Sequence, residues 1–289
     1  MKRRLVAAAV LWFLTVSIIP AVESVSGHLF IIGGGARPEA MMKKFVSLAV
    51  GHGSGRIVVF PMASSVPDEV GVEQAAELRS LGAGDVKFYI LTREEALRPD
   101  SIGLLDDVGG VFFSGGVQTR LMDILLDTPL LQKLLEVYAA GAVIGGTSAG
   151  AAVMSEFMIT GDERREVEEG QEFSTLETAN IVTVPGLGFI ETAVIDQHFV
   201  RRKRHNRLIS VICERPGLLG IGIDESTALW MKPDLTMEVI GSGCVLIYDA
   251  SEASVRILPD RSFSSHNMAL HILKEGDRFD SRSRKVLER

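Results

Sequence analysis

Ala142-Val143-Ile144-Gly145-Gly146-Thr147-Ser148-Ala149-Gly150-Ala151-Ala152-Val153-Met154 joins an apolar strand to a helical stretch through a run of small residues. Its centre, Gly146 to Gly150, fits G-x-S-x-G, the pattern in which a chain turns sharply from strand to helix and lifts a serine hydroxyl clear of the backbone. The turn aims a helix N-terminus at a reacting carbonyl, and the Ala149 N–H stands where an oxyanion donor is needed. A Gly-rich βα turn with a helix-capping serine has the same local composition. The strand before and the helix after favour the first reading and make Ser148 the candidate nucleophile.

The strand of this turn is one of a series. Segments 28–32, 56–60, 86–91, 108–113 and 142–144 read as short apolar strands, and 39–50, 69–81, 119–127 and 130–140 as the helices between them. Strands alternating with helices of this length predict βαβ units and a parallel sheet. Strands apolar on both faces predict helices covering both sides. The second half is more mixed, with strands expected over 181–184, 220–223, 228–231, 237–240 and 245–248. The last three are closely spaced and predict antiparallel hairpins at one sheet edge. Gly33-Gly34-Gly35 followed by Pro38 fails the dinucleotide fingerprint and reads as a Gly-rich first βα turn. No repeat or linker divides the chain, so one α/β domain is expected over 27–289, frayed and solvated over 277–289.

Composition narrows the class. The 289 residues are 46% hydrophobic and 23% charged, which excludes disordered, collagen-like and coiled-coil chains. Two cysteines exclude a disulfide-stapled mini-fold and leave too few ligands for a structural zinc finger. Cys213, in a helical pattern, and Cys244, in a strand, both read as buried, and a disulfide between them is compatible with export. A net charge of −7 argues against a nucleic-acid partner. Lys2, Arg3 and Arg4 precede an uncharged run from Leu5 to Val22, followed by small residues. This is the layout of a signal peptide over 1–26, cleaved near 24–27, which predicts a secreted or periplasmic protein without stable membrane association after processing. Left uncleaved, the segment would be a membrane anchor at the short limit of a span.

Two further strand ends carry polar residues. Phe113-Ser114-Gly115-Gly116-Val117-Gln118 supplies a second Gly pair, with the Gly116 N–H the candidate second oxyanion donor. Of six histidines, His198 stands out because Asp196-Gln197-His198-Phe199 follows the apolar Ala193-Val194-Ile195. Polar residues at a strand end are costly unless used, and the histidine pKa suits a general base. Such a base needs a third group to fix its tautomer. Asp224 and Glu225, at the end of another apolar strand, are both candidates, and they point in opposite directions if extended. Arg201, Arg202, Lys203, Arg204 and Arg207 follow His198 and form a local cationic field suited to carboxylates. The stretch 162–172 carries six acids and two arginines and reads as a solvated loop or as a wall for a cationic group.

Taken together, Phe113–Gln118, Gly145-Gly-Thr-Ser-Ala-Gly-Ala151, Pro185-Gly-Leu-Gly188, Asp196-Gln-His-Phe199 with Arg202, Arg204, Arg207 and Leu208, and Gly220-Ile-Gly-Ile-Asp-Glu225 resemble cyanophycinase, of the serine peptidases related to peptidase E. The resemblance runs from about His28 to Asp249. It implies a flavodoxin-like α/β fold related to class I glutamine amidotransferases. That fold has a mostly parallel sheet, helices on both faces and an antiparallel edge extension, and homodimers are common on it. It implies hydrolysis of cyanophycin, a poly-aspartate with arginine on each β-carboxyl, to β-Asp-Arg dipeptides. By motif position Ser148 would be the nucleophile, His198 the base and Glu225 the orienting acid. Gln118, Asp196, Gln197, Arg202, Arg204 and Arg207 would line the site for this polyacidic, arginine-bearing polymer. The serine mechanism implies neither metal nor cofactor. Val117 departs from the family pattern, where Asp or Asn follows the Gly pair, and so does Ser226, where Asn is common. A peptidase E-like aspartyl dipeptidase and a non-catalytic polymer-binding protein are the alternatives. The D-Q-H-F element with its arginines argues against the first, and the intact Ser148, His198 and Glu225 set argues against the second.

Overall fold

The structure, a computed structural model, describes residues 25–288. All but the last two residues of the expected export segment 1–26 lie outside it. The first half is the expected alternation. It runs β1 (His28–Ile32), α1 (Glu39–Val50), β2 (Arg56–Phe60), α2 (Pro67–Ser80), β3 (Val86–Phe88), α3 (Arg93–Leu97), β4 (Val108–Phe113), α4 (Gln118–Leu125), α5 (Pro129–Ala140), β5 (Val143–Thr147) and α6 (Ala149–Ala152). Helix ends follow local chemistry. Thr128 caps α5 by accepting the Leu131 N–H at 3.1 Å, Pro129 fills its first position, and Gly141 ends it.

The second half is β6 (Phe157–Glu163), β7 (Ile181–Pro185), β8 (Ala193–Gln197), α7 (His205–Glu214), β9 (Leu219–Ile223), β10 (Thr227–Met231), β11 (Thr236–Gly241), β12 (Val245–Asp249), β13 (Ser254–Ile257), β14 (Phe263–His266), β15 (Ala269–Leu273), β16 (Arg278–Asp280) and β17 (Lys285–Leu287). The strands form a nine-stranded sheet, β17-β16-β11-β10-β1-β5-β4-β2-β3, and a four-stranded one, β15-β12-β9-β8, besides the ribbons β13-β14 and β6-β7. From β1 to β3 the large sheet is parallel, and from β10 to β17 it is antiparallel.

Side-chain alternation divides the core. Phe30, Ile32, Ile57, Val59 and Phe112 face α1 and α2 on one side of the large sheet. Leu29, Ile31, Val58, Phe60 and Phe113 face the other side, toward α4 and α5. Ile195, Ile221, Ile223, Val245 and Ile247 of the smaller sheet join that second cluster. The opposite face of the smaller sheet, with Val194 and Leu246, packs on α7 through Leu208 and Ile212. Both faces of both sheets are thus covered, which is why the strands read as continuous apolar runs.

Four expectations are corrected. The tail expected to fray over 277–289 is built into the fold across its described residues: β16 and β17 extend the large sheet through β11, and Phe279 is fully buried. The strand expected over 86–91 stops at Phe88. Of the three closely spaced strands only β10 and β11 pair as a hairpin in the large sheet, inside the β16–β17 edge, because β12 belongs to the smaller sheet. Cys244, expected to be buried, is half-buried, whereas Cys213 is buried as expected, and both are free thiols. Among the described residues no helix is long and apolar enough to cross a membrane.

Candidate active site

The central strand β1 hands over to the G-T-S-A-G turn through one hydrogen bond, Ser148 N–H to Ile32 O at 3.0 Å. Ser148 adopts φ 54° and ψ −111°. For a residue with a Cβ this left-handed region costs on the order of 1–3 kcal/mol, held in place by β5 before it and α6 after it. The carbonyl of Ser148 accepts the N–H groups of Ala151 and Ala152, both at 3.0 Å. Those of Ala149 and Gly150, first in the helix, have no intrahelical acceptor by helix geometry. Gly115 lies against the serine: a Cβ there would stand 3.4 Å from Ser148 Cβ and 3.9 Å from Oγ. Gly116 adopts φ 141° and packs on Ala63.

His198 and Glu225 come from the smaller sheet, one just beyond β8 and the other two residues beyond β9, which are parallel neighbours. Ser148 Oγ lies 2.9 Å from His198 Nε2, and His198 Nδ1 lies 2.7 Å from Glu225 Oε1. Asp224 turns the other way and accepts the Arg201 N–H at 2.9 Å, which ties the turn after His198 to the end of β9. Burial is the first reason the His198 pKa is lowered; Arg202 and Arg204 lower it further, against the hydrogen bond to Glu225. The Glu225 carboxyl is held below its ordinary range chiefly by that same hydrogen bond. At neutral pH this is a neutral imidazole facing a hydroxyl, with a carboxylate behind it.

Gly33-Gly34-Gly35, expected as a Gly-rich first βα turn, also packs on the candidate base. Gly33 O accepts the His198 N–H at 2.7 Å, and Gly34 O accepts the Ser226 N–H at 2.9 Å. A Cβ on Gly34, whose φ is 106°, would stand 2.4 Å from His198 Cε1. Only glycine lets the first βα turn lie flat on the imidazole. Three consecutive glycines after the first strand were the available signal.

Asp196, Gln197, Arg204 and Arg207 form one network next to His198, and Arg202 and Gln118 stand outside it. Arg207, 1% exposed, grips Asp196, 2% exposed, through Nε to Oδ2 at 2.7 Å and Nη2 to Oδ1. The Arg207 guanidinium also lies over the Phe173 ring, 4.8 Å from its centroid. Asp196 Oδ1 further accepts the Gln197 N–H at 2.7 Å. Arg204 Nη1 donates to both Gln197 O and Gln197 Oε1 at 2.8 Å, and its pKa is pushed down to about 10, mainly by burial. Arg202 is exposed. Gln118 is buried and donates from Nε2 to Ile159 O at 2.9 Å and Thr160 O at 2.6 Å. Val117 is exposed at the start of α4, and Ser226 adopts φ 54°. Among the described residues no group of His, Cys, Asp and Glu is arranged to hold a metal ion.

Residues 29–239 match Peptidase family S51. The chain belongs to that family. This S51 peptidase, a serine-type enzyme, is 34% identical over 272 residues to the cyanophycinase of Synechococcus elongatus, covering 90% of this chain and 82% of the relative. It is 33% identical over 268 residues to the cyanophycinase of Trichormus variabilis, covering 90% and 87%. With that of Geminocystis herdmanii it shares 35% over 233 residues, covering 78% and 83%. Among solved structures, a peptidase from an acI-B1 actinobacterium superposes with a TM-score of 0.66 at 24% identity, over 89% of this chain and 98% of that one, and so shares its fold.

Proposed function

We propose that this S51 peptidase hydrolyses cyanophycin to β-Asp-Arg dipeptides, with Ser148 as nucleophile, His198 as base and Glu225 as orienter. The observation that carries the reading is the continuous hydrogen-bond chain from Ser148 Oγ through His198 to Glu225. Ser148 Oγ passes its proton to His198 Nε2 as it attacks the scissile carbonyl. Glu225 accepts from Nδ1–H, fixing the tautomer and stabilising the imidazolium. The tetrahedral oxyanion receives hydrogen bonds from the Ala149 and Gly116 N–H groups. The imidazolium then protonates the leaving amine, and water repeats the sequence on the acyl-serine to release product.

Substrate choice follows from charge. Arg204, half-sheltered beside His198, and Arg202, exposed above it, face the arginyl carboxylates of the polymer. Arg207 has its charge met by Asp196 and positions Arg204 and Gln197 rather than binding substrate directly. The reading extends to export: the basic Lys2–Arg4 and the uncharged run to Val22 act as a signal removed near 24–27.

The test is incubation of purified protein with insoluble cyanophycin and analysis of the soluble products. Release of β-Asp-Arg that disappears in Ser148→Ala is the expected result. Cleavage of Asp-X dipeptides without polymer turnover would make the protein a peptidase E-like dipeptidase. Polymer binding without products would make it a binding protein. Intact mass of the protein recovered outside the cytoplasm checks the export reading, with loss of the first 24 to 27 residues expected.

A further inference from the structure

The β6–β7 ribbon runs from Gln118 and Arg207 to a second cleft. Its β6 carbonyls Ile159 O and Thr160 O take the Gln118 amide, three residues after the glycine that touches Ser148. At Gly161 the ribbon passes within 4.0 Å of the tips of Gln118 and Arg207, measured from where a Cβ would stand. Arg164 is three residues further, at most roughly 10 Å of extended chain. There a cleft of about 480 Å³ opens, lined by Arg164, Arg165, Glu177, Asn180 and Arg261 among others.

Its cations are held in place from three sides. Buried Asn180 accepts the Arg164 N–H through its carbonyl at 2.8 Å and the Arg165 N–H through Oδ1 at 3.2 Å. Arg165 Nη1 lies 3.2 Å from Glu177 Oε1. Arg261, on the β13–β14 turn, donates from Nη2 to Thr178 O at 2.7 Å and accepts the Thr178 N–H at 2.9 Å. It does so at φ 71°, a left-handed conformation in which glycine would be less strained. Among the described residues the Arg164 guanidinium has no ion-pair partner. Three guanidinium groups face one lining carboxylate, in a chain whose net charge is −7.

We propose that this cleft is a distal subsite for the polymer. Its arginines take the arginyl carboxylate of a unit remote from the scissile bond, and Glu177 meets that unit's guanidinium. The assignment rests on the cyanophycin reading above, because each unit of that polymer carries one carboxylate and one guanidinium. Planar guanidiniums bind carboxylates bidentately. A second grip along the chain raises the local concentration of polymer at the triad without touching the chemistry.

The test compares one insoluble and one short substrate. In a Ser148→Ala background, the double variant Arg164→Gln/Arg165→Gln is expected to co-sediment with insoluble cyanophycin roughly fivefold more weakly than its parent. In the active enzyme the same pair should raise KM on the polymer with kcat retained, and leave kinetics on a soluble two-unit fragment unchanged. Arg261→Gln, on a different element, should reproduce the polymer-only loss. Wild-type turnover with unchanged polymer binding by the variants overturns the subsite alone. An equal loss on the two-unit fragment also overturns it, because the effect would then lie at the triad. Absence of β-Asp-Arg from wild type on either substrate overturns the cyanophycin reading and the subsite with it.

Discussion

The two sheets bring different things to the same few ångströms. The large sheet delivers Ser148 by backbone geometry alone: an apolar strand, a turn of small residues and a φ of 54°. The smaller sheet delivers His198 and Glu225 from the ends of parallel strands, above a buried ionic network of Asp196, Arg204 and Arg207. A hydroxyl needs only to be exposed at one angle. A base needs its tautomer, orientation and pKa set, and that takes polar partners. The division predicts that damage to the first sheet's contribution is chemical, whereas damage to the second is chemical and structural together.

Ser148→Ala tests the first half and carries the largest expected effect. Product release should fall by more than about 10⁴-fold, with thermal stability unchanged or slightly improved by relief of side-chain constraints. A drop in Tm would break the comparison. Asp196→Ala tests the second half. It leaves the buried Arg207 charge without its partner, which costs about 3–5 kcal/mol, read as a lower urea midpoint. Replacing both residues with apolar ones of similar volume should recover most of that stability but not activity. Gly34→Ala probes the seam between the sheets. Its Cβ displaces the imidazole and should lower kcat by about 100-fold while KM changes little.

The smallest effect sharpens the electrostatics. Activity needs neutral His198, whose pKa is lowered chiefly by burial, so the acidic limb of the pH–rate profile should fall below the ordinary histidine range. Arg202→Gln removes one of the cations that favour the neutral form and should move the limb upward. A downward shift would mean that Arg202 acts on the imidazole in some other way.

How much of this was legible in the sequence differs between the sheets for the same reason. The parallel strands of the first half are apolar runs separated by helices that obey a 3.6-residue period, and their order along the chain forces them into one layer. β8 and β9 are equally apolar, so they read as members of that same sheet; nothing local in Ala193–Gln197 says that its partners lie in a second layer. The tail misled through its charges. Arg278-Phe279-Asp280 buries only its central residue, and strands of three residues are too short to show a period. The choice between Asp224 and Glu225 was open for a related reason. Alternation along a strand says that neighbours point apart, not which of them faces the histidine.

The strand β1 sits in the middle of the nine-stranded sheet, paired with β5 on one side and β10 on the other. It is also the earliest strand of the described chain. Its neighbours begin at Val143 and Thr227, so a nascent chain holds its future centre unpaired on both sides until about half of the sequence has been made, and on one side until most of it has. Such long-range closure slows folding. The strand against which the Ser148 turn is hung, through the Ser148 N–H to Ile32 O bond, is therefore among the last to gain both of its neighbours.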